Sequence, residues 1–265
     1  VKFQIYFADE LLASNHPRSD HFKKQSFNET TWNKIFRLLK KNNIKIYCDI
    51  FGEKALRVAK ANEVNGYKIH SSDLTNLVLL NLIKDTSKKI FLSTGGSTIE
   101  EIAYATNTLK NSKKRLVLMH GFQNYPTQID NCDLLKIKMY KNIFGKHCDI
   151  GYQDHLSGED PLNFTTPLIA IGMGAQFLEK HVTMDRSKKG VDYYSSLEPK
   201  EFKSFVNLVR DSERSIGENP ESINKKEENY RNNVKKVWYL KKNIRKGDKI
   251  KENNLIMKRP ADNYV

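Results

Sequence analysis

The chain has 265 residues, 38% of them hydrophobic, enough to bury a full core, and its 45 Lys and Arg against 31 Asp and Glu give a formal charge of +14. No apolar run approaches the roughly 18 residues of a membrane span, and the opening Val1-Lys2-Phe3-Gln4 has no signal-peptide pattern, so a cytoplasmic protein with no membrane partner is expected. Cys48, Cys132 and Cys148 have no CxxC spacing and are odd in number, which argues against a disulfide framework.

In chain order, residues 1–6 read as a strand. Ser26-Phe27-Asn28-Glu29 has the form of a capping box, opening a helix whose apolar face is Trp32, Ile35, Phe36 and Leu39. Strands follow at 45–51 and 66–71, and Asp73 is placed to cap a helix that turns Leu74, Leu77 and Val78 inward. A strand at 89–93 leads through Ser93-Thr94-Gly95-Gly96-Ser97-Thr98 into a helix opened by Ser97-Thr98-Ile99-Glu100, with Ile99, Ile102 and Ala103 as its apolar residues. Strands at 115–119, 148–152 and 175–181 complete a set of seven, and a helix over 199–216 carries Phe202, Phe205, Val206, Val209 and Ile216 before Gly217 stops it.

Beyond Gly217 the apolar periodicity ends, so residues 1–217 form the expected main domain and 218–234 a linker. Within 235–265, the runs beginning at Val237, Asn243 and Asn254 read as the start of a small β-rich module. From Glu218 to Val265 there are 13 basic and 7 acidic residues, mostly Lys mixed with Asn and Glu, and no RNA- or DNA-binding motif interleaves aromatics with that charge. That composition describes a solvated surface, and nucleic acid is not an expected partner.

Seven strands alternating with helices specify a parallel α/β protein, either a doubly wound sheet or a (β/α)8 barrel. Polar residues lie at the C-terminal end of most strands: Gln4, Lys68 with Ser71, Ser93, Asn124, His155, and Glu179 with His181. An open sheet concentrates its site at one switch point, whereas a barrel draws on all its strand ends, so a barrel one strand short of eight is favoured.

His155 in Gly151-Tyr152-Gln153-Asp154-His155 and His181 in Glu179-Lys180-His181 are separated by about one strand-helix-strand unit, which brings both imidazoles to one sheet edge as candidate ligands of a divalent metal. Asp154 and Glu179 stand beside them as supporting or acid–base groups. Lys2 and Lys68 are either a pair for a phosphate or carboxylate or two of many surface lysines; Lys68, flanked by Tyr67 and Ile69 within a strand, is costly there unless it faces a polar site. The glycine-rich run after Ser93 suits an anion and equally suits a plain strand-to-helix turn.

Val1-Lys2-Phe3-Gln4, Tyr67-Lys68-Ile69-His70-Ser71, Leu92-Ser93-Thr94-Gly95, Asn124-Tyr125-Pro126-Thr127, Asp154-His155, Glu179-Lys180-His181-Val182-Thr183 and Ser196-Leu197-Glu198-Pro199 together resemble the N-acetylneuraminate (sialic acid) synthase family, in order and spacing. The run from Lys246 to Pro260 is similar to the start of the antifreeze-like SAF domain of that family. The resemblance implies a (β/α)8 TIM barrel lacking its first strand, followed by the beginning of a SAF domain, in a homodimer whose tail domain caps the partner's site.

The implied reaction condenses phosphoenolpyruvate with an open-chain N-acetylhexosamine to give a nine-carbon 2-keto sugar acid and phosphate; bacterial legionaminic and pseudaminic acids are products of the same type. By the same resemblance Lys2, Lys68, Ser71, Ser93 and Asn124 would hold phosphoenolpyruvate, and Gln4, Tyr125 and Asp192 the sugar. His155 and His181 would bind Mn2+ or Mg2+, with Glu179 as the proton-transfer residue. The family's first strand, which ends in a catalytic glutamate, has no counterpart here. Asp49-Ile50 stands for the usual Thr-Pro, Gln153 for Ser, Gly96 for Met and Tyr193 for His. Two other readings are a non-catalytic carbohydrate- or partner-binding relic of the fold and another metal-dependent aldolase condensing pyruvate.

Overall fold

The computed structural model describes residues 1–112, 116–217 and 221–260. Seven strands, β1 (Lys2–Tyr6), β2 (Tyr47–Phe51), β3 (Gly66–Ile69), β4 (Lys89–Ser93), β5 (Leu116–His120), β6 (Cys148–Gln153) and β7 (Phe177–Glu179), lie side by side in chain order, each pair parallel. Each crossover contains a helix, as parallel pairing requires. The first holds α1 (Ala8–Leu11), α2 (Ser19–Gln25) and α3 (Glu29–Lys41); then come α4 (Glu53–Ala61), α5 (Leu77–Ile83), α6 (Ile99–Thr108), α7 (Leu135–Phe144) and α8 (Leu162–Gly172). The helix α9 (Pro199–Ile216) follows the sheet.

The sheet is strongly curled. Laid flat, β1 and β7 would be separated by six strand spacings, roughly 29 Å, yet Lys2 on β1 reaches Glu179, the last residue of β7, at 3.1 Å. Across the same interior, Lys89 on β4 pairs with Asp149 on β6 at 2.8 Å, and the rings of Phe91 and Phe177 meet edge to face at 5.5 Å. The expected parallel α/β sheet with a barrel-like interior is therefore present, and among the described residues its outer strands β1 and β7 do not pair with each other. The apolar core fills the space between strands and helices, with Ile5, Phe36, Ile50, Ile69 and Leu92 fully buried.

Local signals are displaced at several helix starts. Asn28, not Ser26, caps α3: its Oδ1 accepts from the Thr31 N–H at 2.9 Å, while Ser26 Oγ donates to the Tyr6 carbonyl at 3.0 Å. The capping box of α6 is Thr98 with Glu101, one residue later than expected, and Ala105 rather than Ala103 faces the core. Residues Ser71–Asp73 form a separate 3-10 turn from which Leu74 packs inward; Asn76 then caps α5, so Leu79, Leu80 and Ile83 are buried while Leu77 and Val78 are exposed. On α9 the buried face narrows to Phe205 and Val209.

The expected strand over 175–181 is two elements. The β6 ladder ends at Gln153 opposite Glu179, and His181–Val182 forms a short β8 that pairs with β9 (Ser196–Leu197). For the expected strand over 115–119, Arg115 lies outside the described residues.

The chain divides into compact units at 1–213 and 214–265. In the second, an antiparallel hairpin joins β10 (Val237–Leu240) to β11 (Leu255–Lys258). Within the expected linker, Lys225–Val234 is a helix, α10, capped by Asn224, whose side chain accepts from the Lys226 and Glu227 N–H groups at 3.0 Å. The cap and the Lys, Glu and Arg side chains favour it, and none of its residues is buried. Among the described residues no helix is long and apolar enough to cross a membrane.

Candidate active site

The ends of β1, β2, β3, β6 and β7 converge on a cavity of about 230 Å3. Its floor is ionic. Lys68 on β3, only 3% exposed, is there because the curl turns its ammonium inward, where it meets Glu179 at 2.6 Å and the Gln153 Oε1. Lys2 on β1 approaches the same Glu179 oxygen at 3.1 Å and Asp49 on β2 at 3.3 Å. Burial opposes the ionised form of Glu179, but the adjacent Lys68 and Lys2 charges prevail and hold its carboxyl at about 2. Burial likewise opposes the charge on Lys2, yet Asp49 and Glu179 keep its pKa above the usual lysine value; Lys68, more deeply buried, is pushed down despite Glu179.

The rim carries the two imidazoles. Their ring centroids lie 5.1 Å apart, and Tyr125 packs on His155 at 4.7 Å. Burial pushes the pKa of His155 down, and burial together with the neighbouring His155 pushes that of His181 down to about 4, so both rings are neutral near pH 7. At 3.7 Å from Asp192 Oδ2, the neutral His181 Nδ1 makes no ion pair there. His155 Nδ1 faces the Phe122 carbonyl at 3.2 Å. A carbonyl only accepts, so Nδ1 carries the proton and Nε2 keeps its lone pair. Asp192 itself sits in the left-handed region (φ 55°), where Asp is tolerated, at the start of the 3-10 turn Tyr193–Ser195.

Of the residues singled out in the sequence, Lys2, Gln4, Lys68, Tyr125, His155, Glu179, His181 and Asp192 line this cavity. Ser71, Ser93 and Asn124 do not. Ser71 lies in the turn beyond β3, Ser93 is fully buried behind Gln153 at 3.4 Å, and the Asn124 Oδ1 is taken by the Tyr125 N–H. Asp49, His70, Gln123, Gln153 and Asp154 line it as well. His70 has no role among the sequence expectations; its place one residue past β3 is the signal that points to it. Asp49 is wholly buried with Oδ1 unpartnered. A larger cavity of about 550 Å3 shares Lys2, Lys68 and Glu179 but is walled mainly by apolar side chains of β7 and α9 and contains neither imidazole.

The donor set suits a divalent cation in part. Two neutral imidazoles meet the requirement that ligands be deprotonated, and the His155 tautomer presents Nε2. Among the described residues no three His, Cys, Asp or Glu side chains are grouped to hold a metal. Such a cation would therefore have two protein ligands, leaving its remaining positions to substrate and water.

The NeuB family model matches residues 1–221. The chain belongs to the NeuB family. Among relatives of this NeuB chain, the N,N'-diacetyllegionaminic acid synthase of Campylobacter jejuni is 31% identical over 279 residues, covering 99% of the chain and 81% of the relative. The pseudaminic acid synthase of Helicobacter pylori is 29% identical, covering 85% and 65%. A crystal structure of N-acetylneuraminic acid (sialic acid) synthetase from Leptospira borgpetersenii in complex with citrate superposes with a TM-score of 0.79 at 29% identity, covering 88% of the NeuB chain and 80% of that structure.

Proposed function

We propose that the chain condenses phosphoenolpyruvate with the open-chain form of an N-acetylhexosamine, yielding a nine-carbon 2-keto sugar acid and inorganic phosphate. One observation carries this reading: two lysines from β1 and β3, a carboxylate from β7 and a pair of neutral imidazoles, one just past β6 and one on β8, line one cavity at the strand ends. The likeness to synthases of legionaminic, pseudaminic and sialic acids supports it. The hexosamine is an acetamido sugar of the N-acetylmannosamine type.

In this reading Lys2 and Lys68 exchange Glu179 and Asp49 for the phosphate and carboxylate of phosphoenolpyruvate, with Ser71, Ser93 and Asn124 closing in behind them. Gln4, Tyr125 and Asp192 orient the sugar so that its aldehyde carbon faces C3 of the enol. The C–C bond forms there as the aldehyde π bond opens onto its oxygen, which ends as a hydroxyl with one of the two protons of the water that adds at C2; the C–O bond to phosphate then breaks, and the second proton leaves with the phosphate. Glu179 takes the proton that the adding water loses, once the substrate has drawn the lysines away from it. Mn2+ or Mg2+ held by His155 and His181 would polarise the aldehyde.

The test is phosphate release from phosphoenolpyruvate that requires both an acetamido sugar and a divalent cation. His155→Ala and His181→Ala are each expected to lower the rate at least a hundredfold; undiminished activity in either would sink these roles. Sugar binding without turnover in the full-length protein would favour a non-catalytic carbohydrate-binding function, and use of pyruvate without phosphate release an aldolase.

In a second part of this reading, residues from 235 onward, which include the hairpin β10–β11, belong to a SAF-type module acting on a partner subunit in a swapped homodimer of a cytoplasmic enzyme. Mixing a His155→Ala subunit with one lacking the module should restore turnover. A full-length monomer with full activity would rule the swapped arrangement out.

A further inference from the structure

The β6–β7 ladder pairs Gly151 with Phe177, Tyr152 with Leu178 and Gln153 with Glu179, and there it stops. Continued by one residue, the same register sets Asp154 opposite Lys180; by two, His155 opposite His181. Backbone pairing supplies neither step, because His181 has left to pair with Ser196. Side chains supply the first. Lys180 Nζ donates to both oxygens of Asp154, at 2.9 and 2.8 Å, across the ladder's own offset of 26 residues. These side chains are only 2% and 3% exposed.

The pair is tied into its surroundings. Lys180 also donates to Asn163 Oδ1 on α8, and its ammonium lies 5.6 Å from the centre of the Phe205 ring on α9. The Asn163 amide donates to the carbonyls of Leu156 at 3.3 Å and Ser157 at 2.8 Å, holding the chain directly after His155. An Asp154 oxygen accepts from the Leu156 N–H at 3.2 Å. A buried ion pair adds little net stability over an apolar pair of similar volume, so energy alone does not account for this one.

We propose that Lys180 and Asp154 are positioning residues, a side-chain rung that extends the β6–β7 ladder beyond its last backbone pair and fixes the spacing of His155 and His181. In each chain segment the rung residue is covalently next to a histidine: Asp154, which itself lines the cavity, precedes His155, and Lys180 precedes His181. Holding Lys180 on Asp154 therefore holds the two imidazoles at one separation on the cavity side. Its consequence for cation binding rests on the proposed function; its consequence for ring spacing does not.

The test uses Lys180→Met with Asp154→Leu in one chain, which removes both charges and leaves an apolar contact in their place. Circular dichroism checks the fold, nuclear Overhauser contacts between the ring protons of His155 and His181 report spacing without any metal, and titration with Mn2+ reports affinity. The ring contact should vanish and Mn2+ affinity should fall by about ten- to a hundredfold. A folded double variant with the ring contact intact overturns the proposal. Loss of the ring contact in a protein that binds Mn2+ in neither form keeps the rung and sinks the metal reading of the site. If the double variant does not fold, Asp154→Glu keeps both charges and lengthens the rung by one methylene. It is expected to weaken both the ring contact and Mn2+ binding, and no change in either overturns the proposal.

Discussion

Gln153 shows how a single residue sets the state of this cavity. Its amide oxygen takes Lys68 and lies 3.4 Å from Ser93 Oγ, so it occupies two groups assigned to phosphoenolpyruvate, and at 5% exposure it is packed in place. Gln153→Ser should free both and lower KM for phosphoenolpyruvate several-fold with little change in kcat; an unchanged or raised KM in steady-state assays would refute this. His181 makes a second prediction. Its folded pKa of about 4 lies below the ordinary histidine value of 6.5. Below pH 6.5 the unfolded chain binds a proton that the folded chain refuses, so stability is fully present above that pH and is lost progressively toward pH 4. The Tm should fall between pH 7 and 4.5, and less steeply in His181→Gln; parallel slopes would remove His181 as a cause. The relation of Gln153 to Lys68 spans 85 residues of chain, and no local pattern announces it.

Among the secondary-structure elements, strands were legible in the sequence and helix starts less so. Apolar runs bounded by turn residues located all seven strands of the sheet to within a few residues, because a sheet packed on both faces keeps most of its strand residues apolar, with charged exceptions such as Lys2, Asp49 and Lys68 turned to the interior site. Caps were ambiguous because adjacent Ser, Thr and Asn compete, and the tertiary direction of the chain chooses among them. Ser97 and Thr98 allow a discriminating measurement. Thr98→Ala should cost about 1 kcal/mol in urea denaturation and Ser97→Ala only a few tenths, since it is Thr98 Oγ1 that accepts from the Glu101 N–H at 3.3 Å. Equal losses would return the cap to Ser97.

For the molecule as a whole, Glu179 links strands that are far apart in the sheet order, receiving Lys2 from β1 and Lys68 from β3. Glu179→Gln leaves two lysines facing each other with less compensation, one of them 3% exposed, and should destabilise the fold by roughly 3 kcal/mol in urea unfolding. Adding Lys68→Met should restore much of that loss; if it does not, the network is not a stabilising link across the curl. The sequence by itself determined the parallel α/β class and the order of its elements, because apolar periodicity and turn chemistry are local properties. It also placed His155 and His181 as neighbours, since their spacing equals one crossover unit, the register that Gly151 and Phe177 adopt. Only the tertiary structure decided how far the sheet curls, that Lys2, Lys68 and Glu179 meet, that Gln153 fills the floor, and that Lys180 pairs with Asp154. Those contacts join side chains tens of residues apart, and their geometry depends on strand twist, register and packing that no short window of sequence contains.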